Sequence, residues 1–219
     1  MQFNEAQIQA IQHNTGPCMV IAGPGSGKTT VLTHRVRYLI ERYGVNPSDI
    51  LVITFTKAAA EQMKLKFKGL SEGRNSAVTF GTFHAVFFTI LKAAYNYSAH
   101  CIIKPQIQHE FVKDQMCRLE LEYDDENEAV AGVLSEISCV KGEDVNIDEY
   151  ESRCIPPQSF RIMYRAYDDM LVRKHLIDFD DMIVQCRELL MQREDYRRAW
   201  QNKYKYILID EFQIGRAHV

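Results

Sequence analysis

One stretch constrains this chain above all others: Ala22-Gly23-Pro24-Gly25-Ser26-Gly27-Lys28-Thr29. It follows the apolar run Cys18-Met19-Val20-Ile21 and precedes Leu32, Val36, Leu39 and Ile40 at helical spacing. A short apolar run ending in glycine reads as a buried strand over 18–22. The spacing after it predicts a helix over 31–42, with Gly44 suited to its end. Between strand and helix, a glycine-rich loop turns its backbone N–H groups inward, where they surround phosphate oxygens. Gly23, Gly25 and Gly27 permit that path and the close approach of an anion. Lys28 reaches the β- and γ-phosphates, and the Thr29 hydroxyl ligates Mg²⁺. Residues Ala22 to Thr30 are therefore the expected nucleotide-binding set. The usual pattern opens with Gly; Ala22 holds that place here without lengthening the loop.

Further apolar runs at Ile50-Leu51-Val52-Ile53-Thr54, Val78-Thr79-Phe80 and Tyr206-Ile207-Leu208-Ile209 read as strands, with helices over 58–67 and from about Thr82. Strands alternating with helices, each strand apolar throughout, imply a parallel sheet covered on both faces. The expected fold is α/β, a P-loop NTPase (RecA-like) parallel sheet with helices on both faces, plus an inserted all-helical subdomain. Residues 1–89 and 176–213 are assigned to the sheet-bearing domain. Residues 90–175, where helical spacing dominates and Pro156-Pro157 breaks the pattern, are assigned to the insertion.

Composition narrows the partners. Lys and Arg number 26 against 29 Asp and Glu, a net charge of −3, so any nucleic-acid surface must be local. The six cysteines form no C-x-x-C pair, which argues against zinc and for free thiols in a reducing, cytoplasmic setting. No apolar run approaches the ~20 residues of a membrane span.

Asp210-Glu211 closes the last apolar run. Ligands of parallel sheets sit at the carboxyl ends of strands, which would set both carboxylates beside the cradle. Asp210 is the candidate Mg²⁺ carboxylate and Glu211 the candidate general base for the attacking water, with Lys28 as its catalytic companion. Phe55 can stack on an unpaired base, an interaction worth ~1–3 kcal/mol. Thr54, Thr56, Thr82 and His84 can bond phosphate oxygens without reading sequence. The competing reading of Phe55 and Phe83 is as core residues under strand ends. Asp178, Asp180 and Asp181 are expected to cap a helix and anchor it; metal binding is the less favoured reading.

Several segments together resemble the UvrD/Rep/PcrA-like superfamily-one DNA helicases. Phe3-Asn4-Glu5-Ala6-Gln7 resembles their adenine-reading motif, which implies that Gln7 bonds the adenine edge. The segment from Thr54-Phe55-Thr56-Lys57 to Met63, and Gly81-Thr82-Phe83-His84, resemble their DNA-contacting motifs. The resemblance thus implies DNA contacts at Thr54, Phe55, Thr56, Thr82, Phe83 and His84. Asp178-Phe179-Asp180-Asp181-Met182 resembles the segment where the chain re-enters the motor domain. Asp210-Glu211-Phe212-Gln213 is similar to the Walker B motif, where the Gln couples nucleotide state to DNA movement. One departure stands out: many members carry Asn-Lys after Thr-Phe-Thr, whereas Lys57-Ala58 stands here, displacing the basic residue. That alanine-rich variant also resembles helicase subunits of helicase–nuclease complexes.

The resemblance implies an ATP-dependent helicase with Mg²⁺, moving 3′→5′ on single-stranded DNA and acting at junctions in DNA repair. The alternatives are a P-loop enzyme without a DNA role and a non-enzymatic DNA-binding module. After Gln213 the chain reads Ile214-Gly215-Arg216-Ala217-His218-Val219. The codons ATC GGA AGA GCA CAC GTC, a common sequencing-adapter stretch, would encode these residues, so 214–219 are expected to be a non-native tail on a truncated front portion.

Overall fold

A computed structural model describes residues 3–71, 77–143 and 145–212. Gln213 and the 214–219 tail lie outside the described residues. The chain gathers into two compact units. One takes the residues up to Val86 and those from Glu194 onward; the other takes Phe87–Arg193.

The first unit is built on a parallel sheet of β1 (Ile50–Thr54), β2 (Thr79–Thr82) and β3 (Tyr206–Ile209), in the order β2-β1-β3. Val52 pairs with Phe80 on one side and Leu208 on the other, and Ile50 pairs with Tyr206. Residues in register point the same way, so these five side chains share one face. Onto that face pack Val36 and Leu39 of α2 (Lys28–Tyr43) and Met63 and Phe67 of α3 (Lys57–Leu70). Leu51 and Ile53, on the opposite face, are buried as well, as strands enclosed on both sides require. Short α1 (Glu5–Gln12) is tied to α2 through Arg35, which donates to the carbonyls of Ala10 and His13. Helix α9 (Glu194–Lys203) leads into β3.

Cys18–Ala22 departs from expectation. It forms no strand and lies open to solvent, with Ile21 92% exposed. An apolar run records a tendency toward burial, but a strand also needs a neighbour to satisfy its N–H and C=O groups. Among the described residues nothing pairs with it.

The second unit is helical. It holds most of α4 (Phe83–Tyr95), then α5 (Pro105–Arg118), α6 (Glu126–Gly142), α7 (Pro157–Lys174) and α8 (Phe179–Gln192). Val130, Val133, Ile137 and Val140 form the buried stripe of α6 and pack with Phe160, Met163, Tyr167 and Met170 of α7. The dividing line falls at Arg193 and not near residue 176. Met182, Cys186 and Leu189 of α8 are buried, and Asp178 and Asp181 bind Lys141 of α6, which draws 176–193 to the helical side.

Candidate functional site

The Ala22–Thr29 loop is exposed over much of its length and turns tightly, with the Ser26 N–H donating to the Gly23 carbonyl at 3.3 Å. Gly25 and Gly27 have φ of +74° and +83°, a region that costs an L side chain roughly 1–2 kcal/mol. These two glycines are therefore required by backbone geometry. Gly27 caps α2, and no side chain caps that terminus. The first N–H groups of α2, at Lys28, Thr29 and Thr30, make a helix start suited to an anion. Thr33 steadies this turn from below, its hydroxyl donating to the carbonyls of Thr29 and Thr30.

Gln7 sits against the loop. Its amide donates to the Ser26 carbonyl at 3.0 Å, and its Oε1 accepts from the Asn4 N–H at 3.0 Å. Asn4 returns the bond to the Gln7 N–H at 2.9 Å, a reciprocal cap of α1. The sequence Asn4-Glu5-Ala6-Gln7 thus fixes a helix start and ties it to the phosphate loop.

β3 delivers Asp210 and Glu211 to the same end of the sheet. The Asp210 N–H donates to the Ile53 carbonyl at 2.9 Å, so β3 stays paired with β1 up to the acidic residues. Lys28 Nζ stands 3.6 Å from Glu211 Oε1, with both side chains about one-third exposed. Asp210 is nearly buried. Burial raises its carboxyl above the ordinary range and the Glu211 charge adds to this; a backbone hydrogen bond from Glu211 and the Lys28 charge oppose it. Glu211 itself holds a left-handed backbone, φ +53°, at the point where the strand ends.

β1 and β2 end beside each other, Thr54 paired with Thr82. Thr54 is buried, whereas Phe55 is 44% exposed, so the aromatic ring and not the threonine faces solvent here. Thr56 caps α3, accepting from the Ala59 N–H at 3.1 Å. Thr82 accepts from the Ala85 N–H at 3.3 Å and opens α4, whose first residues are the half-buried Phe83 and His84. The chain therefore brings Gln7, the 22–30 loop, Asp210 and Glu211 to one locus, and sets Phe55, Thr56, Thr82, Phe83 and His84 at the ends of two adjacent strands.

Asp178 caps α8, accepting from the Asp181 N–H at 2.7 Å. Among the described residues no cluster of His, Cys, Asp or Glu is arranged to hold a metal. Lys141, which sequence reasoning did not single out, lies 2.9 Å from Asp178, 2.8 Å from Asp181 and 3.1 Å from Asp168. The only signal was a lysine one turn after Ile137, at the edge of an apolar helical stripe.

All six cysteines are free thiols, and among the described residues no helix is long and apolar enough to cross a membrane. The profile of the UvrD/REP helicase N-terminal domain matches residues 3–214. The chain is 34% identical over 221 residues to the ATP-dependent DNA helicase Rep of Escherichia coli, covering 97% of this chain and 32% of that protein. It is 33% identical over 223 residues to the putative ATP-dependent DNA helicase YjcD of Bacillus subtilis, covering 96% and 28%. To the ATP-dependent DNA helicase PcrA of Staphylococcus epidermidis it is 30% identical over 223 residues, covering 96% and 30%. The chain thus spans about a third of the length of these curated relatives. On this match across nearly its whole length, the chain belongs to the UvrD/REP helicase N-terminal domain family.

Proposed function

We propose that this chain is the ATP-binding front portion of an ATP-dependent DNA helicase that moves 3′→5′ along single-stranded DNA in the cytoplasm and opens duplex at junctions. The observation that carries the reading is the meeting of Lys28 with Glu211 at 3.6 Å, beside the buried Asp210. A P-loop lysine and a strand-end acidic pair at one locus are the phosphate-holding and water-activating parts of a nucleotide hydrolysis site.

In that site the Gly23–Thr30 backbone and Lys28 hold the phosphates, and Gln7, already against the loop, reads the adenine. Thr29 and Asp210 supply hard oxygen ligands, the donor class that suits Mg²⁺. When bound, the ion neutralises phosphate charge. Glu211 accepts a proton from the attacking water, and in the free protein Lys28 pairs with its carboxylate at 3.6 Å. Phe55 offers a stacking face to an unpaired base, while Thr56, Thr82 and His84 face the phosphates. By the family resemblance, Gln213 couples nucleotide state to DNA movement.

In a longer protein that carries this chain as its front portion and hydrolyses ATP, Glu211→Gln should leave ATP binding within about twofold while lowering DNA-stimulated turnover by at least ~10²-fold, the low end of general-base effects. Turnover near the unsubstituted rate would remove Glu211 from the reaction.

A further inference from the structure

Helix α3 carries Lys57, Lys64, Lys66 and Lys68 against a single acid, Glu61, in a chain whose net charge is −3. All four lysines are exposed, and among the described residues none makes an ion pair. At about 100° per residue, Lys57, Lys64 and Lys68 fall within about 40° of one another, with Glu61 at the edge of that stripe. Lys66 points to the opposite side, about 180° from Lys57. The stripe runs about 16 Å along the helix, flanking the buried face of Ala60, Met63 and Phe67. The helix dipole favours a cation at Lys68 in the last turn, but it disfavours Lys57 in the first turn, where no acid stands. Local helix electrostatics therefore do not explain the whole stripe. Its upper end is one residue from Thr56 and two from the exposed ring of Phe55.

We propose that the Lys57–Lys64–Lys68 stripe of α3 is a second nucleic-acid surface, which follows the phosphates of a single strand leaving the Phe55 stacking position. It rests on the single-strand reading above and adds to it a track of point charges with no sequence preference. Single strands are held by this combination of an aromatic platform with an adjoining basic groove. The stripe adds affinity through counterion release, so its mark is length and salt dependence.

The test measures binding of the 219-residue chain to fluorescein-labelled oligothymidylates of about 5 and about 15 nucleotides, which bracket single-strand site sizes, across a salt series. The unsubstituted chain binds the longer strand more tightly. Lys64→Ala/Lys68→Ala loses that gain, and its log K against log salt slope is shallower by about 1.4, at about 0.7 per lost contact. Lys66→Ala, removing the same kind of charge from the other side, keeps both the gain and the slope. A double variant with an unchanged length gain and slope overturns the stripe, as does an equal loss in Lys66→Ala. Equal displacement of the DNA by polyglutamate at matched charge also overturns it, in favour of an acidic protein partner. Phe55→Ala, which weakens both lengths, reports on the single-strand reading separately; an unsubstituted chain that binds neither oligonucleotide overturns that reading and the stripe with it. Exposed Lys→Ala changes on a helix are well tolerated, and circular dichroism verifies the fold of each variant.

Discussion

At Lys141 an ammonium group is only 4% exposed and is surrounded by Asp168, Asp178 and Asp181. Burial alone would lower its pKa, but the three carboxylates outweigh burial and raise it. Asp178 also accepts from the Tyr167 hydroxyl, which in turn accepts from Gln108, so one buried network spans α5, α6, α7 and α8. Removing one partner of such a group leaves uncompensated buried charge, at a cost of about 3–5 kcal/mol. Lys141→Ala should therefore lower unfolding stability by about that amount at neutral pH, read by urea denaturation. The sign of its pH dependence follows from Asp181. Burial first, then the Asp178 charge, push its carboxyl up to about 6 against an ordinary 3.8. A folded state that binds the proton more tightly is favoured below about pH 4 and loses that advantage as pH rises through about 6. The Lys141 charge opposes that rise, so without it the Asp181 carboxyl holds its proton more strongly still, and the variant's deficit should be smaller at pH 5 than at pH 7.5. A deficit independent of pH would remove the carboxylates from the explanation. None of this was legible in the sequence, because Lys141 meets its partners across 37 and 40 positions.

The elements were legible where local pattern and tertiary need agree. β1 and β3 are continuous apolar runs, and α2 carries its buried Val36 and Leu39 at helical spacing, although it begins at Lys28, directly after the left-handed Gly27. Residues 18–22 carry the same apolar signal as β1 and form no strand. The difference is a partner strand, which no single segment encodes. Likewise Asp178, Asp180 and Asp181 read as a helix start, but which unit α8 joins depends on Lys141, far from it in sequence. Thiol chemistry tests this contrast between elements. Cys18 lies exposed in the extended segment, whereas Cys186 is buried in α8 and burial pushes its thiol up to about 11. In the native chain a maleimide or disulfide reagent should modify Cys18 readily and leave Cys186 untouched until the protein unfolds. Protection of Cys18 in the native state would show that residues 18–22 are covered.

At the scale of the whole molecule, the residues proposed to hold nucleotide were the most legible part. A phosphate loop, its lysine and a strand-end acidic pair are motifs whose chemistry fixes residue type and spacing, so Lys28 and Glu211 can be matched from opposite ends of the chain, and they lie 3.6 Å apart. The residues proposed to contact DNA were less so, because threonine and phenylalanine serve cores and caps equally well; Thr54 is buried and Thr56 and Thr82 are helix caps. The chain spans 28–32% of the length of YjcD and Rep, and the reading proposed above makes it the ATP-binding front portion of a longer helicase. It should bind nucleotide without sustaining DNA-stimulated turnover. The most direct measurement is the titration of a fluorescent ATP analogue, in Mg²⁺, into the 219-residue chain and its Lys28→Ala variant. The account predicts saturable binding by the unsubstituted chain, at least about tenfold weaker in the variant, a difference of roughly 1.4 kcal/mol. Equal affinity in the two chains, or no binding by either, would contradict it.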